Sequence, residues 1–388
     1  MHEQGFGLSA GGDRGLRVRG VRAACARAPA HEPCRRHRRA RGCKRRRDRA
    51  WRQLEGADCK DSSVDPLTHA VSGAAIGAAR FRRGREVLWL ALLAMAPDLD
   101  IAFRWVSDVF YLEHHRGVTH SLLMLPLWAW LFARILRPRA EGLHAGWIAA
   151  ALGAHIALDL ITSFGTMIFV PLSRFRASLD WVFIVDPMLT LPALFAVAVA
   201  LWRRSRRWGW AACAWIAGYI GLCAGLHARA LAVAQARTPA AAESFAAFPL
   251  PFSPTRWRLV AIGKDKVWTA ALELMPGFPG LEPLFPRAFA ARWARHGAPS
   301  DALAWRAFPR PDWDRLARRA PDAVRFYRWF APYAVVLGEQ DDLVVLSDLR
   351  FGAGAWPEDQ VPFRLEIARE GAALIWGKKR ARFPAQAR

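Results

Sequence analysis

Between positions 69 and 159 the chain gathers imidazoles and carboxylates in short motifs whose spacing suits metal ligation. In HHRGVTHSL, residues 114–122, two or three imidazoles sit within seven positions just ahead of an apolar run. Imidazole is the commonest nitrogen ligand for zinc and similar ions. A helix start would hold His120 in register, a bend at Gly117 would turn His115 toward the same point, and Arg116 offers a planar donor able to grip a phosphate or carboxylate. The competing reading is a polar turn at a membrane edge, its side chains reaching for water.

In GAHIALDL, residues 153–160, His155 and Asp159 are four apart and share one face of an otherwise apolar helix. An aspartate at mid-helix in hydrocarbon costs on the order of 2.5–3.5 kcal/mol, so the pair implies an interior polar cavity, or a structural pair bonded to itself. In APDLDI, residues 96–101, Pro97 breaks an apolar run and Asp98 and Asp100 follow, two apart, as carboxylates able to ligate or bridge metals or as an acidic helix end. His69, four residues after Asp65, stands alone in DPLTHA and reads on its own as a cap or surface residue.

Mixed His/Asp ligation with several oxygens suits one or two hydrolytic metals, whose bound water ionises near neutral pH. Zinc is the first expectation and Mn or Mg the alternatives. Arg116 and Thr119 are the candidate catalytic residues, placed to hold a substrate oxyanion. The sequence has no GxSxG elbow, Walker loop, GxGxxG or HExxH, so serine hydrolases, nucleotide motors, dinucleotide enzymes and zincins lack their usual signature. Ser163, Gly165 and Thr166 would interrupt the His155 helix. Arg174 and Arg176, ahead of Asp180-Trp181 and Asp186-Pro187, would either favour anionic substrates at the site mouth or anchor the interface.

Such residues need elements to bring them together, and the apolar runs supply these: Leu67–Ala79, Val87–Ala96, Ser121–Leu136, Trp147–Leu172, Trp181–Trp202 and Trp208–Ala236. The last two have the length of a membrane span, and the shorter, interrupted ones suit helices lining a polar cavity. Arginines cluster at 80–85, 134–139 and 203–207, which the positive-inside rule places in the cytoplasm. His69, Asp98, Asp100, His115 and His120 then fall toward the opposite face. The expected fold is mainly α: a multi-pass transmembrane bundle over 64–236, followed by a smaller soluble α+β domain over 237–388 on the extracytoplasmic side. That domain reads as strands at Arg256–Gly263, Val267–Leu274, Tyr333–Leu337, Leu343–Leu349 and Phe363–Ile367, with helices at Leu284–Trp305 and Trp313–Phe330. It contains no catalytic set, which leaves it a covering or recognition role.

The formal charge of +23 is partly a property of residues 1–63, which hold 17 basic and 7 acidic side chains. This stretch lacks hydrophobic periodicity and is expected to be disordered. Val64 directly precedes DPLTHA and could be a bacterial start, which would make the tail translated upstream sequence. Nucleic-acid binding through the tail is not expected. Four of the six cysteines lie in it with no metal-knuckle spacing, and no disulfide framework is indicated.

Taken in order, His69, PDLD (97–100), HRGVTHS (115–121), GAHIALDL with TSFGT (153–166) and LDWVFIVDP (179–187) resemble the bacterial inner-membrane metal-dependent hydrolase family typified by YdjM and YbcI. The resemblance covers about a third of the chain. It implies a membrane-bound hydrolase of the bacterial inner membrane with His69, Asp98, Asp100, His115, His120, His155 and Asp159 as metal ligands. The HxxxD pair is also distantly similar to the helices of zinc-dependent phospholipase C and nucleases, which suggests a phosphoester or lipid-linked substrate beside membrane lipid. The alternative is a non-catalytic membrane protein whose structural metal site or polar network supports envelope assembly.

Overall fold

The computed structural model describes residues 65–383, apart from 83, 139, 141, 239–241, 277–296, 341, 352–362, 370 and 377–378. The basic tail, its four cysteines and the proposed start at Val64 lie outside the described residues.

Helix α1 (Pro66–Arg80) starts where Asp65 accepts the amides of Leu67 and Thr68, with Pro66 at the first helical position. Its small residues let neighbours approach closely. A Cβ on Gly73 would stand 2.2 Å from the Leu90 carbonyl oxygen of α2 (Gly84–Met95). A 3-10 segment, Ala96–Trp105, then carries PDLD, because Pro97 lacks the amide that would continue the α-helix. Short helix α3 (Asp108–His114) and the turn Val118–His120 follow, then α4 (Leu125–Leu136), α5 (Ala145–Leu160), α6 (Pro187–Trp202) and α7 (Arg206–Arg237). Helix α1 packs on α2, α5, α6 and α7 and is the centre of the helical region.

Two of the three longest expected runs are shorter as helices. The Trp147–Leu172 run is helical only to Leu160, where Thr162 Oγ bonds back to the Asp159 carbonyl and Gly165 takes φ 87°. The Trp181–Trp202 run begins its helix at Pro187, capped by Asp186. Among the described residues, α7 alone is long and apolar enough to cross a membrane, and α3 with the His120 turn and α4 forms a pair bent by 76° that passes together. At 1.5 Å per residue, α5 and α6 reach about 24 Å. The outer surface of the helices is nonetheless apolar, with Leu88, Trp130, Phe195, Trp202 and Trp210 exposed, whereas beyond Leu222 the one large exposed apolar side chain among the described residues is Met275.

The strands form two antiparallel sheets. The first is β1 (Ser244–Pro249), β2 (Arg256–Ile262), β3 (Lys266–Glu273) and β4 (Arg306–Pro309) in sequential order. The second is β5 (Ala334–Gln340), β6 (Leu343–Asp348), β7 (Phe363–Ala368), β8 (Gly371–Trp376) and β9 (Lys379–Arg382), again sequential. Strands β1, β4, β8 and β9 are additions to the sequence reading. The expected helix at Leu284–Trp305 falls largely outside the described residues, but its end is not helical: Ala298 bridges Leu272 instead. The expected helix Trp313–Phe330 divides into α8 (Trp313–Ala317) and α9 (Pro321–Phe330), because proline disfavours a helical residue before it.

The sheets are not a detached body. Leu226, Ala230 and Ala234 of α7 are buried with Trp257, Leu259 and Leu272 of the first sheet. Tyr111, Leu112 and Phe164 from the helical region share a core with α9 and the second sheet.

Candidate metal centre

Four elements deliver the centre. Helix α1 brings His69, the 3-10 segment Asp98 and Asp100, the loop after α3 His115 and His120, and α5 His155 and Asp159. The donor atoms of Asp98, His120, His155 and Asp159 all lie within 4.8 Å of one another, as do those of Asp98, Asp100 and His115, so Asp98 belongs to both groups. His69 lies alongside, stacked on His155 with centroids 3.8 Å apart and its Nε2 3.3 Å from Asp159 Oδ1.

The hydrogen bonds behind the imidazoles fix which nitrogens face inward. His155 Nδ1 is 2.6 Å from the Ala94 carbonyl oxygen and therefore carries the proton. His120 Nδ1 is 2.8 Å from Thr119 Oγ1, whose hydroxyl donates to Asp100 Oδ2, so this Nδ1 is also a donor. Both neutral rings thus direct an Nε2 lone pair inward, and the two Nε2 atoms are 2.9 Å apart. Asp159 Oδ2 lies 3.0 Å from one and 3.4 Å from the other. Asp98 Oδ1 lies 3.6 Å from both. Facing lone pairs repel, and a proton or a cation among them removes the conflict. Both oxygens of Asp98, together with Asp159 Oδ2, are buried without a hydrogen-bond partner. Buried carboxylate oxygens are rarely left so. Imidazole and carboxylate donors held by carbonyl, hydroxyl and carboxylate partners form a set that fits a metal ion.

Asp100 is saturated from behind. Its Oδ1 accepts from His115 Nδ1 at 2.7 Å, and its Oδ2 from the Arg116 amide and Thr119 at 3.1 Å each. Arg116, at φ 61°, points inward: Nη2 meets Asp159 Oδ1 at 2.8 Å and Nη1 meets Thr162 Oγ1 at 2.9 Å. The positive φ falls on Arg116 and not on Gly117, where a Cβ would stand 2.6 Å from the His114 carbonyl oxygen. His114 turns away and stacks on Phe110.

Further out, Arg176 does not line a mouth. Its guanidinium lies over Phe164, Trp329 and Phe330 and bonds the Gly165 carbonyl at 2.8 Å. Arg174 lies over Trp329. Thr166 pairs with Ala177 across a bridge. Sequence reasoning missed Thr162 and the Ala94 carbonyl; a hydroxyl one turn after His155-x-x-x-Asp159 was the available signal for the first.

Comparison with known proteins supports the family resemblance noted above. Over 150 residues the chain is 28% identical to the uncharacterized protein YfhP of Bacillus subtilis (strain 168), covering 35% of this chain and 46% of that protein. The chain therefore spans less than half the length of the curated relative it matches. No solved structure matches. The stretch that holds every residue of the centre, residues 64–230, matches the YdjM inner membrane protein family model, a match that supports an inner-membrane location.

Proposed function

We propose that the chain is a membrane-bound, metal-dependent hydrolase of phosphoester or lipid-linked substrates. The observation that carries this is the convergence of the His120 and His155 Nε2 atoms with unpartnered oxygens of Asp98 and Asp159. The cation expected there is zinc, with Mn or Mg as alternatives, and its ligands come from His69, Asp98, Asp100, His115, His120, His155 and Asp159. A divalent ion held by such a set supplies a Lewis acid for a phosphoryl or carbonyl oxygen and acidifies water toward neutral pH.

The chain's own residues prepare that site. The Ala94 carbonyl and Thr119 set the tautomers of His155 and His120. Arg116 holds Asp159 in place and keeps it ionised, and Asp100 orients His115 and, through Thr119, His120. Asp98, whose side chain is 13% exposed against 0% for His120 and His155, is the least enclosed of the converging residues, although both its oxygens are buried.

The apolar exterior of the helices supports a multi-pass arrangement in which short helices cross as a bundle around a polar interior. The arginine-rich helix ends at Arg80, Arg134 and Arg203 lie at the ends of α1, α4 and α6 away from the centre, which favours a centre and C-terminal domain on the extracytoplasmic side.

Complete burial of His120 and His155 favours a second reading, a structural metal site supporting envelope assembly. A phosphoester panel with the zinc-loaded, detergent-purified chain separates the two. The hydrolase reading expects turnover that chelation abolishes and that His120→Ala and Asp98→Asn lose while staying folded. A structural site gives no turnover, and both variants lose stability.

A further inference from the structure

The second sheet reaches the loop that follows α5 of the centre through a buried ion pair. Asp348 at the end of β6 and Arg350 just after it form an ion pair with side chains 0% and 4% exposed. Arg350 Nε lies 3.2 and 3.1 Å from the two Asp348 oxygens, and Nη2 bonds the second of them at 3.0 Å. The remaining donors leave the strand: Nη2 bonds the Phe330 carbonyl of α9, and Nη1 bonds the Ser163 carbonyl at 3.1 Å, across 187 positions of sequence.

Ser163 lies between two residues that touch the centre. Thr162 accepts from Arg116 Nη1 at 2.9 Å and donates to the Asp159 carbonyl at 2.8 Å. Phe164 has the Arg116 guanidinium over its ring at 4.9 Å and the His115 ring at 5.5 Å. The Arg176 guanidinium also lies over it, and its other ring partners are Phe330, Phe351 and Trp376, with centroids between 5.5 and 6.1 Å, from the C-terminal part of the chain. A buried ion pair is a poor source of stability, since apolar side chains of similar volume often serve as well. What this pair provides that they would not is a directed donor on the Ser163 carbonyl.

We propose that Arg350 is a positioning residue of the metal centre. Gripped by Asp348, it fixes residues 162–164 and through them the Arg116–Asp159 pair, so the second sheet sets the geometry of the ligands. The C-terminal domain then does more than cover the site: it completes it.

The proposal rests on the metal reading for its affinity readout, and amide exchange tests it separately. Two variants of the full chain in detergent are compared with the wild type: Asp348→Leu with Arg350→Met, which leaves no orphaned charge, and Arg350→Lys, which keeps the charge but loses the planar fork. Exchange of amides 159–168 is expected to rise about tenfold in both, with strands β6 to β8 unchanged, and zinc affinity in chelator competition is expected to fall about tenfold, less for Arg350→Lys. Wild-type exchange at 159–168 with unchanged affinity overturns the proposal. So does exchange that rises equally across the second sheet, since the pair is then only a stability element. If the wild-type chain takes up no zinc, the metal reading fails by itself and the exchange pattern decides this one.

Discussion

Arg116 and Asp159 meet at 2.8 Å with side chains 3% and 1% exposed, so each carries a charge that the other must balance out of contact with water. Removing one partner of a buried pair leaves the other uncompensated and costs about 3–5 kcal/mol. Arg116→Ala is expected to lose stability of that order by denaturant titration. Arg116→Lys keeps the charge and gives up the Thr162 bond, and is expected to lose about 1 kcal/mol.

Asp98 and Asp100 differ in what surrounds them, and their asparagine variants should differ accordingly. Asp98 has no hydrogen-bond partner on either oxygen, so Asp98→Asn should retain its fold and lose zinc affinity about tenfold or more. Asp100 accepts from His115, the Arg116 amide and Thr119, so an amide NH2 in its place faces donors. Asp100→Asn is expected to lose about 2 kcal/mol in stability even without metal, measured by denaturation of the chelated protein.

Helix α1 holds His69 only if it stays close to α2. Gly73→Ala places a Cβ 2.2 Å from the Leu90 carbonyl oxygen and 2.6 Å from Ala94 Cβ, backbone and side chain that cannot swing aside. A loss of about 1–3 kcal/mol is expected. Gly84→Ala, which meets nothing within 4 Å, is the control and should leave the melting temperature unchanged.

Burial pushes the Asp180 carboxyl up to about 6 from an ordinary 3.8, against Ser163, Arg350 and Ser178. The folded state then binds the proton more tightly than the unfolded chain. Stability is fullest below the unfolded value, falls as pH rises from about 4 to about 6, and stays lower above that. Asp180→Asn suits the backbone at φ 58° and should be more stable than wild type at pH 7.5, by about 2 kcal/mol, with the difference vanishing below pH 4. Denaturant midpoints at the two pH values check it.

The parts of the centre that were legible in the sequence are those where local spacing carries the meaning. His155 and Asp159 share a helix face because four residues are about one turn. Pro97 signalled the break that presents Asp98 and Asp100, and Gly117 marked the bend near His115, although the strained backbone proved to be that of Arg116. The helix ends at Leu160 and Pro187 were hidden because apolar composition continues through residues 161–186, where side chains pack as a folded loop. Strands β4 and β9, four residues each, are too short for alternation to register. Arg350 could not be found from the sequence, because its bond to Ser163 joins positions 187 apart and depends on how β6 packs on residues of the helical region.

Metal content of the purified full chain tests the central claim most directly. After zinc loading, removal of free ion and mass spectrometry, the arrangement of His120, His155, Asp98 and Asp159 predicts about one or two zinc ions per chain, lost in a folded His120→Ala/His155→Ala variant. A folded wild-type chain that retains less than about a tenth of an ion, or a double variant that retains as much as wild type, would contradict it.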